Sequence, residues 1–379
     1  MAVYSANISS RLPRALIFAG FLLGYACMVL KFTQLSETRL LLIIAALGAV
    51  IFLLMLRDWH LLFVGAFAFC LPLLYIDVNL YYDRTAGGDA GIAFSAVELT
   101  MIALWLESIL TIPREERKKV APSALRWLIP ALLLAALISL QAAIKPNLAF
   151  FELIRLIKMA LLCWLVAGTV NSKAALRTII VALFITTILQ SGMGLAQKIT
   201  GGALAADLIG EKDPIMTVEL DTGESFTRVG GTLGHPNEFA RFLSLILPLA
   251  LIGMIGETEK KFRWLAAFTF AFGGLALLLT LTRGAWFGMI GATALIFLMA
   301  LRHPALRTRA WRSLRFLLLL LVPLLLINLG TLKSRFTSDD KGSFDTRLPM
   351  VRVAMKMIAA NPWLGVGIGN YREWLPRYG

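Results

Sequence analysis

Long stretches without a single charged residue constrain this chain more than any other feature of its sequence. Residues 40–56 and 316–329 contain no Asp, Glu, Lys or Arg, and further apolar runs recur between them. A transmembrane helix needs roughly 20 mostly apolar residues to cross a bilayer core of about 30 Å. Because the chain offers such stretches repeatedly, the sequence predicts an all-α fold, a polytopic bundle of transmembrane helices.

The composition is typical of a chain whose solvent is lipid. Hydrophobic residues make up 58% of the 379 residues and charged residues only 16%, with a mean hydropathy of +0.76. In soluble domains, about half of the residues are hydrophobic and about a quarter are charged. The net charge of +14 would suggest nucleic acid in a soluble protein. Basic loops that face anionic headgroups explain it better here, so we expect membrane lipids as partners and no nucleic acid. Cys27, Cys70 and Cys163 lie in apolar runs without metal-ligand spacing, and we expect no metal and no other cofactor.

About eleven spans can be placed along the chain, with the N-terminus in the cytoplasm. Lys and Arg accumulate in the loops of one side, above all at 114–126 and 302–315, whereas the short loops of the other side carry Lys31, Arg84 and Lys145. This bias predicts a multi-pass protein of the bacterial inner, or plasma, membrane. The predicted spans lie at about 15–30, 38–56, 61–76, 91–112, 127–143, 149–170, 177–197, 237–256, 264–282, 284–301 and 316–330.

Two long polar segments then fall on the periplasmic side, at about 198–236 and 331–379. Loops carry binding and catalytic residues more often than the elements they connect, so these segments are the first places to search for a site. We interpret residues 1–379 as one integral membrane domain. Residues 344–379 resemble a structured loop without a following span, and we expect that a C-terminal part is missing from this sequence.

The segment 228–241 combines features of an anion site. Pro236 suits the first turn of a helix and Asn237 is a plausible cap, so a helix N-terminus with free N–H groups should lie at the outer surface. Arg228 and Arg241 flank it. The alternative is a glycine-rich turn that merely starts a helix. The glycines that would allow close backbone approach are Gly230, Gly231 and Gly234.

Two further segments carry outward-facing basic residues. In 279–288 one predicted span ends and the next begins at once, which places Arg283 at a second helix N-terminus; the alternative is an interfacial Arg–Trp anchor. In 346–371, residues 348–360 suit a basic helix lying in the interface, ended by Pro362 and followed by a glycine-rich turn. A lid helix without chemistry is the alternative for this third segment.

Charges inside the predicted spans are few and therefore informative. Glu98 and Arg155 should each lie about 10 Å below the outer surface, from 1.5 Å per residue, and we expect a structural ion pair between them. Glu107 and Glu152 lie near span ends, where we expect them to be solvated. A single His235 in the polar segment is more often structural than catalytic.

Taken together, three segments resemble the O-antigen ligase and O-antigen polymerase superfamily, which also includes protein O-oligosaccharyltransferases. The matching pattern is Arg-x-Gly-Gly-Thr-x-Gly-His-Pro-Asn-x-x-Ala at 228–240 and Thr-Arg-Gly-Ala at 282–285. It continues with Arg347 and with Asn-Pro-Trp-Leu-Gly-Val-Gly-Ile-Gly-Asn-Tyr at 361–371. The resemblance implies a metal-independent membrane glycosyltransferase that takes a glycan from a polyprenyl-pyrophosphate donor. The acceptor would be a growing glycan, a lipid A-core sugar or a protein hydroxyl.

The resemblance also implies roles for individual residues. Arg283, Arg228 and Arg347 would bind the diphosphate, with Arg241 in reserve, because fixed arginines stabilise a leaving pyrophosphate without a metal. Family members are expected to supply a histidine base from a later segment, beyond Gly379. His235 and Glu238 are the weaker catalytic candidates within this sequence.

Two other functions remain open from the sequence. A lipid-linked glycan flippase or other transporter would need a water-filled path with charges facing it, and related halves would support it. A non-catalytic scaffold of an envelope assembly is the second alternative. A transporter would form no new glycosidic bond, so a transfer assay discriminates between these functions.

Overall fold

The structure is a computed structural model, and it describes residues 59–73, 77–82, 91–111, 125–170, 172–200, 215–219, 225–327 and 347–378. The predicted spans at 15–30 and 38–56 lie outside these residues. Within them the chain is predominantly helical, as predicted, and two antiparallel hairpins are the exception. The helices are α1 (Trp59–Cys70), α2 (Ala96–Thr111), α3 (Leu125–Ser139), α4 (Pro146–Thr169), α5 (Lys173–Thr200), α6 (Pro236–Gly256), α7 (Lys260–Leu279), α8 (Arg283–Arg302), α9 (Pro304–Ile327), α10 (Arg347–Ala360) and α11 (Tyr371–Tyr378). The strands are β1 (Asp77–Tyr82), β2 (Gly91–Ser95), β3 (Ile215–Glu219) and β4 (Ser225–Val229).

The chain divides into two compact units. Of the described residues, unit 1 holds 77–175 and 347–378, and unit 2 holds 59–73 and 176–327. Unit 1 therefore contains β1, β2, α2 to α4, α10 and α11, whereas unit 2 contains α1, nearly all of α5, and β3 to α9. The single membrane domain stays a prediction.

Helix α6 forms the centre of unit 2 and packs against α7, α8 and α9. Phe239, Leu243 and Leu247 of α6 are fully buried, as their spacing of four residues along one helical face would require. Gly273 lets α7 approach closely, because a Cβ there would lie 2.6 Å from Leu247 Cδ2. The small residue thus sets the distance between these two helices.

Four of the described helices, α5 to α8, are long and apolar enough to cross a membrane. Their outer faces expose large apolar side chains, for example Leu245 at 72% and Ile290 at 65%. Such faces fit a lipid surrounding better than water. Helix α4 includes Glu152, Arg155 and Lys158, and α9 begins at Pro304 rather than at the predicted 316, so its first turns are basic.

The span predicted to begin at 91 begins later, because residues 91–95 form strand β2 and a capping box starts α2 at Ala96. Glu98 Oε2 accepts from the Ser95 N–H at 2.8 Å and from the Ser95 hydroxyl, while Ser95 Oγ accepts from the Val97 N–H at 3.2 Å. Glu98 thus lies in the first turn of the helix. The predicted depth of about 10 Å, which assumed a helix from residue 91, stays a prediction.

The predicted ion pair between Glu98 and Arg155 was also wrong. Glu98 Oε1 pairs with Lys158 Nζ at 2.9 Å, and Arg155 pairs with Glu152 of its own helix at 2.7 Å. Lys158 lies about one turn further along α4 than Arg155, and that position places its ammonium group beside the start of α2. Glu107, expected to be solvated, is buried at 1% exposure.

Candidate functional site

A glycine loop, residues 230–235, connects β4 to α6 and is held by two glutamines of α5. Gln197 Oε1 accepts from the N–H groups of Gly230 and Gly231 at 3.2 and 2.9 Å, and Gln197 Nε2 donates to the Gly231 carbonyl at 2.8 Å. Gln190 Oε1 accepts from the Thr232 N–H at 2.9 Å. Both glutamines are buried, so these bonds form away from water and fix the loop rigidly.

Backbone geometry explains why the loop needs glycine at two of these positions. Gly231 and Gly234 have φ of 61° and 68°, in the region that L side chains rarely adopt. A Cβ on Gly231 would also lie 2.9 Å from Gln190 Oε1. Any side chain at Gly231 would therefore strain the backbone and push away the glutamine that holds the loop.

Arg228 at the end of β4 is buried, with 6% exposure, and ties three segments together. Its Nε donates to the Thr280 carbonyl at 2.8 Å, and its Nη2 donates to Asn237 Oδ1 at 2.8 Å and to Thr282 Oγ1 at 3.1 Å. The first residues of α6 and the turn between α7 and α8 thus meet at one guanidinium. Burial lowers the pKa of Arg228 from its ordinary value, and the charge persists because that ordinary value is so high.

His235, not Asn237, caps helix α6, so the predicted cap was wrong by two positions. His235 Nδ1 accepts from the Asn237 N–H at 3.1 Å, and the His235 carbonyl accepts from the N–H groups of Glu238 and Phe239. Asn237 instead turns its side chain to Arg228. Since Nδ1 is an acceptor, the neutral ring carries its proton on Nε2 and can donate from there.

The environment of His235 favours this neutral form. Partial burial lowers the pKa of His235, and the positive charge of Arg228 lowers it further, while Glu238 acts in the opposite direction. Glu238 itself pairs with Arg241 Nη2 at 2.6 Å. Both weaker catalytic candidates are thus engaged by neighbouring groups, and Arg241 lies on the exposed side of α6.

The turn at 280–282 presents Arg283 beside this cluster. Leu281 has φ of 51°, a left-handed conformation that costs a leucine about 1–2 kcal/mol, yet its side chain is buried in the core of unit 2. Trp286 Nε1 donates to the Leu277 carbonyl at 3.0 Å across the turn. Arg283 is the first residue of α8 and partly exposed, directly after the Thr282 hydroxyl that Arg228 contacts.

The predicted free N–H groups at the start of α6 are not free. The amides of Asn237, Glu238 and Phe239 all donate to His235. In the loop before the helix, the amides of Gly230, Gly231 and Thr232 donate to the two glutamines. At the start of α8, in contrast, Thr282 gives no side-chain cap. We call the end of unit 2 formed by 228–237 and 280–283 the glycine-loop end. Its positive groups are therefore available to a ligand mainly around Arg283.

The third segment belongs to unit 1, where Arg347 is the first residue of α10 and its side chain lies outside the described residues. Helix α10 ends at Ala360 and a glycine-rich turn follows, as predicted. The side chain of Asn370 is fully buried and bonds twice to the backbone of Lys145. It accepts from the Lys145 N–H at 2.7 Å and donates to the Lys145 carbonyl at 3.2 Å. A Cβ on Gly367, with φ of 85°, would lie 2.6 Å from Ala143 Cα. This part of the motif therefore fastens the C-terminal segment to the start of α4.

Sequence reasoning missed Gln190 and Gln197, which position the glycine loop. A signal was present, because both interrupt an apolar span and are separated by seven residues, which places them on one helical face. Uncharged polar residues inside a span are often interhelical hydrogen-bonding groups. The same signal would have directed attention to α5 before the structure was known.

Comparison with known proteins found one family match. Residues 268–379, which include Arg283, Arg347 and the Asn361-to-Tyr371 motif, match the family described as O-antigen ligase. No curated protein matches the chain, and no solved structure matches it. The family match and the apolar helices indicate a membrane protein, and the match over residues 268–379 supports membership of the O-antigen ligase superfamily.

Proposed function

We propose that this chain transfers a glycan from a polyprenyl-pyrophosphate donor to an acceptor hydroxyl at the periplasmic face of the bacterial inner membrane. The observation that carries the proposal is the meeting of the Arg228 and Arg283 segments at the glycine-loop end of unit 2. The match to the O-antigen ligase family supports the same reaction class. A growing glycan, a lipid A-core sugar or a protein hydroxyl would each serve as acceptor.

The chemistry needs positive groups at the leaving diphosphate. The acceptor oxygen attacks the anomeric carbon, the bond from that carbon to the phosphate oxygen breaks, and the diphosphate leaves with the bonding electrons. Negative charge therefore grows on the leaving group, where fixed cationic donors stabilise it more than they stabilise the bound donor. Partly exposed Arg283, next to an uncapped helix N-terminus, suits direct contact with that group.

Arg228 suits a positioning role in the same site. Its Nε and Nη2 hold the Thr280–Thr282 turn and Asn237, while no described residue accepts a hydrogen bond from its Nη1. It thus fixes the turn before Arg283 and adds a buried positive charge near the diphosphate. We propose Arg347 as a third diphosphate ligand and Arg241 as a reserve ligand at the exposed side of α6.

The acceptor proton needs a base, and His235 does not suit that role. Its Nδ1 already accepts from Asn237, and Nε2 carries the proton in that state. Glu238 is engaged with Arg241. We therefore propose His235 as the structural cap and as a neutral donor toward the donor glycan or its phosphate, with proton removal by a different group.

The test is glycan transfer by the purified chain from a polyprenyl-pyrophosphate donor, with Arg283→Ala as the variant. We expect transfer to fall below detection while the amount of folded protein is unchanged, because a charge-assisted contact to the leaving group is lost. Arg302→Ala, at the other end of α8, is the matched control and should transfer normally. Normal transfer by Arg283→Ala would remove Arg283 from the site, and donor movement without a new glycosidic bond would favour a transporter.

A further inference from the structure

Unit 2 has a second basic feature at its other end, which the proposed reaction does not use. A cleft of about 330 Å³ opens beside the C-terminal end of α6, between α7 and α9. Helix α6 has 21 residues, so at about 1.5 Å per residue the cleft lies roughly 30 Å from the glycine loop. The side chains that matter for its chemistry are Arg263, Trp264, Arg309, Arg312, Ser313 and Phe316.

The cleft is built by regular helical spacing rather than by a loose loop. Arg309, Arg312, Ser313 and Phe316 follow one another at intervals that place them on a single face of α9. Arg309 Nη1 donates to the carbonyls of Gly256 and Glu257 at 3.2 and 3.3 Å. These bonds satisfy carbonyls at the C-terminal end of α6 and hold α9 against it. The position of Arg312 on α9 is therefore fixed relative to α6.

Two of these arginines have no carboxylate partner in the part of the chain that the structure describes. No described Asp or Glu lies within ion-pair distance of Arg263 or Arg312. The nearest acids on the connecting loop are engaged elsewhere, since Glu257 accepts from the N–H groups of Thr258 and Glu259, and Glu259 pairs with Arg177. Together with the Ser313 hydroxyl of the same lining, these two guanidinium groups form a donor set that matches phosphate.

An aromatic stripe continues from the cleft along α7. Trp264, Phe268 and Phe272 recur every four residues, with 61%, 54% and 37% of their surfaces exposed. The rings of Phe268 and Phe272 are stacked with centroids 5.9 Å apart. On a helix apolar enough to cross a membrane, such a stripe offers an apolar path leading away from a basic headgroup site.

We propose that this arginine cleft binds the phosphate of an anionic glycerophospholipid, with an acyl chain lying along the Trp264–Phe272 stripe. The charge of Arg263 and Arg312 selects the anionic headgroup, and the stripe explains why the phosphate is carried by a lipid and is not free in solution. The site lies about one bilayer core away from the glycine-loop end, so the lipid comes from the opposite leaflet to the proposed glycan donor. Lipid binding here holds α6, α7 and α9 together.

The test is lipid binding by the full chain in nanodiscs of phosphatidylcholine with increasing phosphatidylglycerol, read from retained phosphatidylglycerol by mass spectrometry. We expect Arg263→Gln with Arg312→Gln to weaken retention by about tenfold or more, since each lost charge-assisted hydrogen bond is worth about a factor of ten. The matched control combines Arg307→Gln with Arg315→Gln. Both are exposed arginines of α9 that lie outside the cleft, so this variant should change retention by less than about twofold.

Three outcomes would overturn the proposal. Equal losses in the two double variants would mean a diffuse basic surface in place of a site. Displacement of phosphatidylglycerol by inorganic phosphate at equal concentration would mean that the acyl chain contributes nothing. Unchanged retention when Trp264→Ser and Phe268→Ser are combined would remove the stripe from the site, and the cleft would then have no feature that favours a lipid over free phosphate.

Discussion

Arg228 and Arg312 are the same kind of side chain at opposite ends of unit 2, and their surroundings differ in almost every respect. Arg228 is buried, and its described bonds all go to the protein's own carbonyl, amide and hydroxyl oxygens. Arg312 is exposed at a cleft, with no described carboxylate beside it. A buried arginine whose donors are used internally organises the fold, whereas an exposed one at a shaped cavity is available to a ligand.

The same contrast applies to the neighbours of each arginine. At the glycine-loop end, Gln190 and Gln197 accept hydrogen bonds from backbone N–H groups that would otherwise be available to an anion. At the cleft, the two carbonyls that need a donor receive it from Arg309. The first end is therefore expected to be sensitive to loss of internal bonds, and the second to loss of charge.

The largest effect should come from Gln197→Leu. This change leaves two buried N–H groups and one buried carbonyl without partners, which should lower the free energy of unfolding by about 3 kcal/mol or more. Thermal unfolding in detergent, followed by tryptophan fluorescence, measures the loss. Ile199→Ala, on the exposed side of the same helix, is the control, and equal behaviour of the two variants would contradict a structural role for the glutamine.

Arg228→Lys is expected to have the next largest effect, and it separates charge from geometry. The charge stays, but a single ammonium cannot reproduce the bonds to Thr280, Asn237 and Thr282, so we expect a loss of about 2 kcal/mol and much weaker glycan transfer. Arg263→Lys at the cleft should leave both quantities close to wild type. If Arg228→Lys were the milder of the two variants, the contrast between the two ends would be wrong.

His235→Asn should have a smaller effect that depends on pH. Because the folded protein lowers the pKa of His235, the neutral ring contributes stability that is fully present above the ordinary value of about 6.5 and is lost as pH falls through the lowered pKa. Wild type should therefore lose stability as the pH falls from 7 toward 5, by at most the roughly 1 kcal/mol that a cap contributes.

Asparagine also caps helices but does not titrate, so unfolding of His235→Asn should be less sensitive to pH over that range. Its glycan transfer near pH 7 should be retained. Loss of transfer in a folded His235→Asn variant would show that the reaction needs the imidazole ring itself, as the Nε2 donor or as the general base.

Arg177→Gln should produce the smallest change. Arg177 pairs with Glu259 at the cleft end, but both side chains are about half exposed, and such pairs contribute little to stability. The melting temperature of this variant should be indistinguishable from that of wild type. A clear loss would mean that exposed charges at the cleft end are as structural as those at the glycine-loop end.

Helix positions could be predicted from the sequence because apolar length determines them. The predicted spans at 177–197, 237–256 and 284–301 agree with α5, α6 and α8 to within a few residues. Errors arose where a polar pattern decides the boundary, as at Ser95 and Glu98, whose capping box starts α2 inside the predicted span.

The site was predictable only in part. The pattern of arginines at glycine-rich turns indicated which segments to inspect, and the structure brings the Arg228 and Arg283 segments together. Which nitrogen bonds to which oxygen depends on side-chain directions after packing, so neither the partners of Asn237 nor the cap by His235 followed from the sequence. The hydropathy of the sequence did not indicate the cleft either. The positive-inside rule already accounts for arginines at this end of the helices, whether or not they line a cavity.

The turn at 280–282 has a consequence for where this helical hairpin can lie. Helix ends normally leave carbonyls that need water, yet here Ala276, Leu277, Leu278 and Thr280 all receive donors from within the protein. These carbonyl groups at the tip of the hairpin therefore do not need water as a hydrogen-bond donor. The tip can lie beneath the headgroup layer, and the lipid-linked donor of the proposed reaction would then reach Arg283 from within the bilayer without first entering water.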